Sequence, residues 1–407
     1  MHKVELLAPA ADLESLKIAI AYGADAVYIG GESYGMKTSS KNFSKEDMLE
    51  GIRFAHEKGK KVYVSVNLVP HNDDFRELEE YLLELEEIGT DAVVISDPGV
   101  LEVVKRVLPN MEIHLGTQAN INNYVSANFW YNQGIKRVVV SRELSCEEIA
   151  GIRAKTPLDM DIETYVHGAI CLSYSGRPLL SNYLTAKDVE IDLSNKSYNL
   201  VEEKRQGEYC PIYEDKGGTF FFNSKDLCMI NFLPELIKSG VTTLSLEGRM
   251  KEPEYIASLV RVYKMALDAF YKDPENWTYD SVWMDEIRKI SNRPFTSGFY
   301  LDETEEKEGV FKNDSKTKTY ESVAIVKGLE KESGLAILNL RNMISIGEDL
   351  EVIGPFKNTM IAKVEELYNE NNECIDRTYS LEETVKVRLS VGIDEDYILR
   401  REIQDEQ

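Results

Sequence analysis

The sequence has no long apolar run, and no stretch approaches the ~18 uncharged apolar residues that a membrane-crossing helix requires. Cysteine is scarce: the 5 present are odd in number and widely scattered, which argues against a disulfide framework and for a reducing compartment. The opening MHKVELLAPAADLE lacks the basic start and apolar core of a secretion signal, so a cytoplasmic protein is expected. Basic residues are outnumbered, 47 against 71 acidic, for a formal net charge of −24. That balance disfavours a chain that coats nucleic acid with its whole surface, yet leaves room for a local basic cleft. Walker-type loops, zinc-finger spacings, internal repeats and low-complexity tracts are absent, as is a G-x-G-x-x-G after the first strand. What remains is an ordinary globular composition, 43% apolar over 407 residues, with material for two or three domains.

Short β-branched runs alternate with longer amphipathic stretches. VELLA (4–8), AVYIG (26–30), KVYVSVN (61–67), AVVIS (92–96), EIHLGT (112–117), RVVVS (137–141), DIETYV (161–166) and TTLSLEG (242–248) read as eight strands. Between them lie helical patterns, for example 73–88, and 253–271 opened by Pro253. Eight strand–helix units predict a (β/α)₈ barrel of the TIM type over 1–300. The eighth strand begins 81 residues after the seventh, which predicts an inserted cap at about 170–235, irregular in its middle (186–208) and lying over the C-terminal ends of the strands. After a charged link at 301–319 the texture changes to five short alternating runs separated by turn residues, predicting a small antiparallel β-barrel over 320–407.

Barrel chemistry sits just past the strand ends. Those positions hold Asn67 and His71, Gln118 and Asn120, Arg142, His167, and the pair Glu247 and Arg249. Two arginines offer planar forks that suit a carboxylate or phosphate, so Arg142 and Arg249, with Gln118, Asn120, Asn67 and His71, are the expected binding set for a small anion. His167 and Glu247 are the candidate proton carriers. Glu247 and Arg249, read as i and i+2 of one strand, are expected to face the same side. A structural ion pair closing the barrel is the alternative for Glu247 and Arg249, and a hydrogen-bonded core-edge imidazole the alternative for His167. Cys171, Cys210 and Cys228 fall in the insertion; Cys171 and Cys228 are the weak metal candidates, and a fourth thiolate is missing.

Several segments are familiar. ETYVHGAICLSYSGR (163–177), LLAPAADLESLKIAIAYGADAVYIGG at the start, VNLVPHN (66–72), TQANINNY (117–124), NSKDLCMI (223–230), LEGRMKEPEY (246–255) and NRPFTSGFY (292–300) together resemble the collagenase-like peptidases, peptidase family U32. The resemblance implies a barrel-like N-terminal domain and a small C-terminal β-barrel. It also implies one of two activities: the proteolysis for which the family was named, or hydroxylation of RNA, the tRNA wobble uridine included, with a prephenate-derived supply and a cysteine-bound iron–sulfur cluster. This chain departs from the cluster-bearing relatives. Pro178 stands where a second cysteine follows Cys171, and their downstream cysteine pair has no counterpart between Lys187 and Gln206. Ser245 stands where a lysine commonly precedes the LEGR motif.

The reading is therefore an RNA-modification protein of tRNA-hydroxylation type, acting with a small anion such as prephenate and carrying a degenerate iron–sulfur site. A peptidase is the alternative, although no nucleophile–base pair or H-E-x-x-H motif stands out. A non-catalytic subunit paired with a cluster-bearing relative is the third reading. The expected partners are a small anion, tRNA or another RNA, and, on the third reading, a related chain.

Overall fold

A computed structural model describes residues 3–34, 42–68, 70–170, 225–301, 318–355, 358–380 and 384–403, together with the backbone of 198–201, 209–215 and 218–221. The first seven strands are β1 (Glu5–Pro9), β2 (Ala26–Gly30), β3 (Lys61–Ser65), β4 (Ala92–Ile95), β5 (Glu112–Leu115), β6 (Arg137–Val139) and β7 (Asp161–Ala169). They are followed by β8 (Tyr198–Val201), β9 (Tyr209–Asp215), β10 (Gly218–Phe221), β11 (Asp226–Cys228), β12 (Thr243–Leu246) and β13 (Phe295–Thr296). Strands β1 to β7 pair in parallel and in sequence, and β12 pairs in parallel with both β7 and β1, closing an eight-stranded barrel. All eight expected strands are present.

Each barrel strand is apolar on its outer face because helices cover the outside, while the inner faces mix apolar and polar side chains. Leu6, Val27, Val62, Val93, Ile113, Val138, Ile162 and Leu244 point outward into the main core beneath the helices. Leu7, Ala26, Tyr63 and Ala92 fill the lumen. The helix Pro253–Lys272 forms where its period predicted, with proline in its first turn; it is buried all round as far as Tyr263 and on one face beyond. The predicted 73–88 helix is instead a 3₁₀ turn, Asn72–Phe75, followed by the helix Leu78–Glu87. The Asp74 carboxylate accepts from the His71 backbone at 2.6 Å and caps the start of the turn.

The insertion differs from the irregular cap that was expected. β8, β9 and β10 form a three-stranded antiparallel sheet, with β8 inside the stretch that showed no period. The chain then returns as β11, antiparallel to the end of β7 and parallel to β13. It therefore rejoins the barrel wall at the C-terminal end of the strands.

The C-terminal domain is a closed barrel of six strands: β14 (Tyr320–Leu329), β15 (Ala336–Leu340), β16 (Asp349–Ile353), β17 (Met360–Tyr368), β18 (Thr384–Leu389) and β19 (Ile398–Glu402). The sequence showed five; β19 closes the ring by pairing with β14 and β16. This domain is bolted to the first by buried charge. Arg400 of β19 donates to Glu286 at 2.7 Å and to Glu351 at 3.0 Å, Lys289 bridges the same two carboxylates at 2.9 Å, and Arg261 reaches Glu286 at 3.3 Å. The Tyr22 hydroxyl crosses the same junction to donate to the Ile353 carbonyl at 2.9 Å.

Candidate functional site

The loops after the parallel strands meet at one mouth, and its polar residues come from opposite sides of the barrel. β12 ends at Leu246, so Glu247 and Arg249 leave the wall as a turn rather than as the continuing strand that was expected. They still stand together at the mouth. The Tyr28 hydroxyl, from β2, donates to Glu247 Oε2 at 3.2 Å. Arg249 passes over Gly30, where an added Cβ would lie 2.8 Å from the guanidinium, and its Nη2 donates to Asn42 Oδ1. Glycine at 30 is thus the space the arginine occupies. Burial is the larger influence on the Arg249 guanidinium and works against its charge, while Tyr28 and Glu247 favour the charge. A guanidinium remains a cation under those conditions.

Across the mouth, Arg142 lies on the ring of Tyr165, its guanidinium carbon 3.8 Å from the centroid, and its Nη1 donates to the Ala169 carbonyl at 2.6 Å. Burial holds the Tyr165 phenol well above its ordinary value, with Arg142 opposing and Glu247 adding to the shift. The same Glu247 and Arg142 act on the phenol of Tyr28, which burial also raises. Arg142, Glu247 and the two tyrosines therefore share one electrostatic environment, with Arg249 beside Glu247. Asn67 continues the inner-face register of β3, and its Oδ1 is buried with no hydrogen-bond partner among the described residues. Such an acceptor in a mouth lined by donors is available to a ligand.

Gly168 explains how β7 and β12 come so close at the rim. Its φ is +107°, and a Cβ there would fall against the Glu247 carbonyl. The Glu247 backbone in turn donates to the His167 carbonyl at 2.9 Å.

The remaining candidates divide. Gln118 and Asn120 lie on the lip after β5: Gln118 Oε1 accepts from Ser96 at 2.9 Å, and Asn120, left-handed at φ 56°, accepts from Ser141 at 3.0 Å. His71 is exposed at the start of the Asn72–Phe75 turn. His167 is not in the mouth. The β-bulge between β7 and β12 turns it outward, into the layer under the Pro253–Lys272 helix. There it meets the rings of Tyr255, Tyr263 and Phe295, and its Nδ1 lies 3.3 Å from the Tyr263 hydroxyl. Burial, aided by Lys251, pushes its pKa down to about 3, so it is a neutral core imidazole at physiological pH. That is the alternative the sequence had left open.

Cys228 sits opposite His167 in the β7–β11 ladder, and its Sγ lies 4.0 Å from the same Tyr263 hydroxyl. Burial pushes this thiol up to about 11. A thiol held protonated in this way is not an activated nucleophile. Cys171, and the side chain of Cys210, lie outside the described residues. Among the described residues, no three His, Cys, Asp or Glu side chains form a group that could hold a metal. The loop after β12 also borders a separate cavity of about 270 Å³, lined by Lys251, Tyr255, Asn292 and Lys318 among others.

Sequence reasoning missed Tyr28, Tyr165 and Asn42. The tyrosines alternate inward along β2 and β7, a signal present in the strand pattern but lying before the strand ends where chemistry was expected. Asn42 lies in the loop after β2, where no strand end drew attention to it.

Comparison with known proteins gives a consistent picture. The family described as peptidase family U32 matches residues 11–309, and its C-terminal domain matches 318–400. A Bacillus subtilis protein called tRNA hydroxylation protein P1 is 35% identical over 403 residues, 98% of this chain and 95% of that one. The Escherichia coli tRNA hydroxylation protein P is 35% identical, covering 92% of this chain and 91% of the relative. An Escherichia coli 23S rRNA 5-hydroxycytidine C2501 synthase is 32% identical over 67% of this chain and 40% of its own length.

Proposed function

This chain belongs to peptidase family U32, and from that premise we propose that it acts in the hydroxylation of RNA, with tRNA as the substrate class. The observation that carries the reading is end-to-end similarity to proteins named for tRNA hydroxylation, 98% of this chain against 95% of one relative. The mouth supplies compatible chemistry. Arg142 and Arg249 are the cations that would hold a small anionic co-substrate, prephenate being the first to try. Tyr165 orients Arg142 by lying under it, and Asn42 orients Arg249. Glu247, anchored by Tyr28, is the group placed to move a proton beside the bound anion. His167 has no part in this reading, because its imidazole faces the helical layer.

Peptide hydrolysis receives less support. Among the described residues, Cys228 and His167 stand opposite one another and are buried, with a protonated thiol and a neutral imidazole. We place the protein in the cytoplasm, where its RNA substrates would be; no helix among the described residues is long and apolar enough to cross a membrane. Pairing with a second family member is a further part of the proposal, and co-purification from the native host would reveal it. The reading as a whole is tested by nucleoside mass spectrometry of RNA from a strain lacking the gene.

A further inference from the structure

The lumen of the barrel is not uniform. Most of it is packed by Leu7, Ala26, Tyr63 and Ala92, but the sector where β7 meets β12 is polar from floor to mouth. Side chains alternate along a strand, and paired positions of parallel neighbours share a face. Glu163 is therefore level with Thr243, and Tyr165 with Ser245, all facing inward, with Glu247 above them at the rim.

Two buried polar atoms in this sector, Thr243 Oγ1 and Arg137 Nε, lack a partner among the described residues, and Ser245 Oγ, which favours the charged form of the neighbouring Glu163, has none in full hydrogen-bond geometry. Thr243 is 1% exposed, Ser245 0% and Arg137 4%, so bulk solvent does not satisfy them. Leaving such a group unmet is unfavourable, and the ordinary remedy inside a protein is ordered water held by several such groups. From the level of Thr243 to that of Glu247 is four residues, or about 13 Å of strand, a span of about four water molecules.

At the foot of the sector, carboxylates outnumber cations. Arg137 donates to Glu5 at 2.8 Å, while Glu163 stands at 3.6 Å and Asp161 at 3.9 Å from the same guanidinium. Glu5 also accepts from the Tyr63 hydroxyl at 2.8 Å, so Glu5 is the well-served partner and Glu163 is not. From β5, His114 faces Tyr63 edge-on and is tied to Glu112 at 2.8 Å, with burial lowering its own proton affinity. Burial raises Glu163 up to about 7, with Glu5 adding to the effect and with Arg137 and the neighbouring Ser245 hydroxyl opposing it. From above, Arg142 and Glu247 act on the Tyr165 phenol together with Glu163. One carboxyl at the base of a polar shaft thus holds its proton loosely near neutrality.

We propose that the β7–β12 sector holds a file of buried water joining Glu163 to Glu247, along which Glu163 exchanges a proton with the mouth. In the forward direction a proton released at Glu247 passes along the file, and the Glu163 carboxylate becomes a carboxylic acid; the reverse returns it. No electrons move and no other reactant is needed. This rests on the mouth being the reacting site, but not on which RNA or anion it serves.

The test uses the full-length protein without substrate, so it can fail while the RNA reading stands, and the reverse. A crystal structure fine enough to show water is expected to place ordered molecules within hydrogen-bond reach of Ser245 Oγ and Thr243 Oγ1, leading to Glu163. Infrared titration is expected to show a carboxyl band that fades across about pH 7 in the parent and is absent in Glu163→Gln. Glu247→Gln, which removes a negative charge from the upper end of the file, should move that midpoint down, and Ser245→Ala should leave the fold intact while displacing the nearest water. A lumen with apolar contact in place of water, or a band unchanged by Glu163→Gln, would overturn the proposal. A midpoint indifferent to Glu247→Gln would overturn the link to the mouth.

Discussion

Arg142 lies flat against Tyr165, 3.8 Å from guanidinium carbon to ring centroid, while its Nη1 is tethered to the Ala169 carbonyl. A stacked, tethered guanidinium loses little freedom when it binds and keeps its remaining N–H groups in one plane. Lysine in its place would keep the charge but lose both the stack and the fork. Arg142→Lys and Arg249→Lys are each expected to weaken a small dianion such as prephenate by roughly ten- to a hundredfold, the equivalent of about 1.5–3 kcal/mol for a charge-assisted contact. Calorimetry on the purified variants checks this. Unchanged affinity in both would remove the anion site.

Gly168 is the hinge of the rim. Its φ of +107° and its contact with Glu247 leave no room for a side chain. Gly168→Ala should cost about 1–3 kcal/mol of stability from backbone strain alone and should displace Glu247. Denaturant unfolding reads the first effect and the pH profile of activity reads the second.

His167 makes a prediction about acid. The fold holds its pKa at about 3 against an ordinary 6.5, so between those values the unfolded chain binds a proton that the folded chain refuses. Stability from this group is complete above about 6.5 and is lost as the pH falls towards 3, by about 1.4 kcal/mol for each pH step of one. Glu163 works in the opposite sense. Its folded pKa is raised from 4.5 to about 7, so its contribution is present in acid and is lost as the pH rises through 7. The two overlap, so the informative quantity is the difference between parent and His167→Gln in chemical denaturation across this range. That difference should shrink as the pH drops below 6.5.

Metal content gives a further test. Protein purified without oxygen is expected to carry no stoichiometric iron–sulfur cluster, because Pro178 stands where one ligand is expected and the downstream cysteine pair has no counterpart between Lys187 and Gln206. Iron and acid-labile sulfide near about four per chain, lost in Cys171→Ser, would contradict it.

The barrel was legible because each strand is a short apolar burst between amphipathic helices, and closure follows from counting them. The sixth strand of the C-terminal barrel was not, because ILRRE presents two adjacent arginines as a surface. Arg400 is in fact 2% exposed and is neutralised by Glu286 and Glu351, residues 114 and 49 positions away. No local pattern carries such a partnership. His167 was expected at the mouth because it follows the apolar end of strand seven; the strand in fact runs on to Ala169, and a bulge, invisible in the sequence, turns the side chain out. Arg142, Glu247 and Arg249 could be placed at the mouth from sequence because they follow strand ends, whereas Tyr28 and Tyr165 look like any core aromatic.

Nucleoside mass spectrometry of tRNA and rRNA from a deletion strain, complemented with the parent gene or with an Arg142→Ala, Arg249→Ala double variant, tests the central claim most directly. The account predicts loss of a hydroxylated nucleoside on deletion, recovery with the parent, and no recovery with the double variant at equal protein level. An RNA profile that deletion leaves unchanged would contradict it.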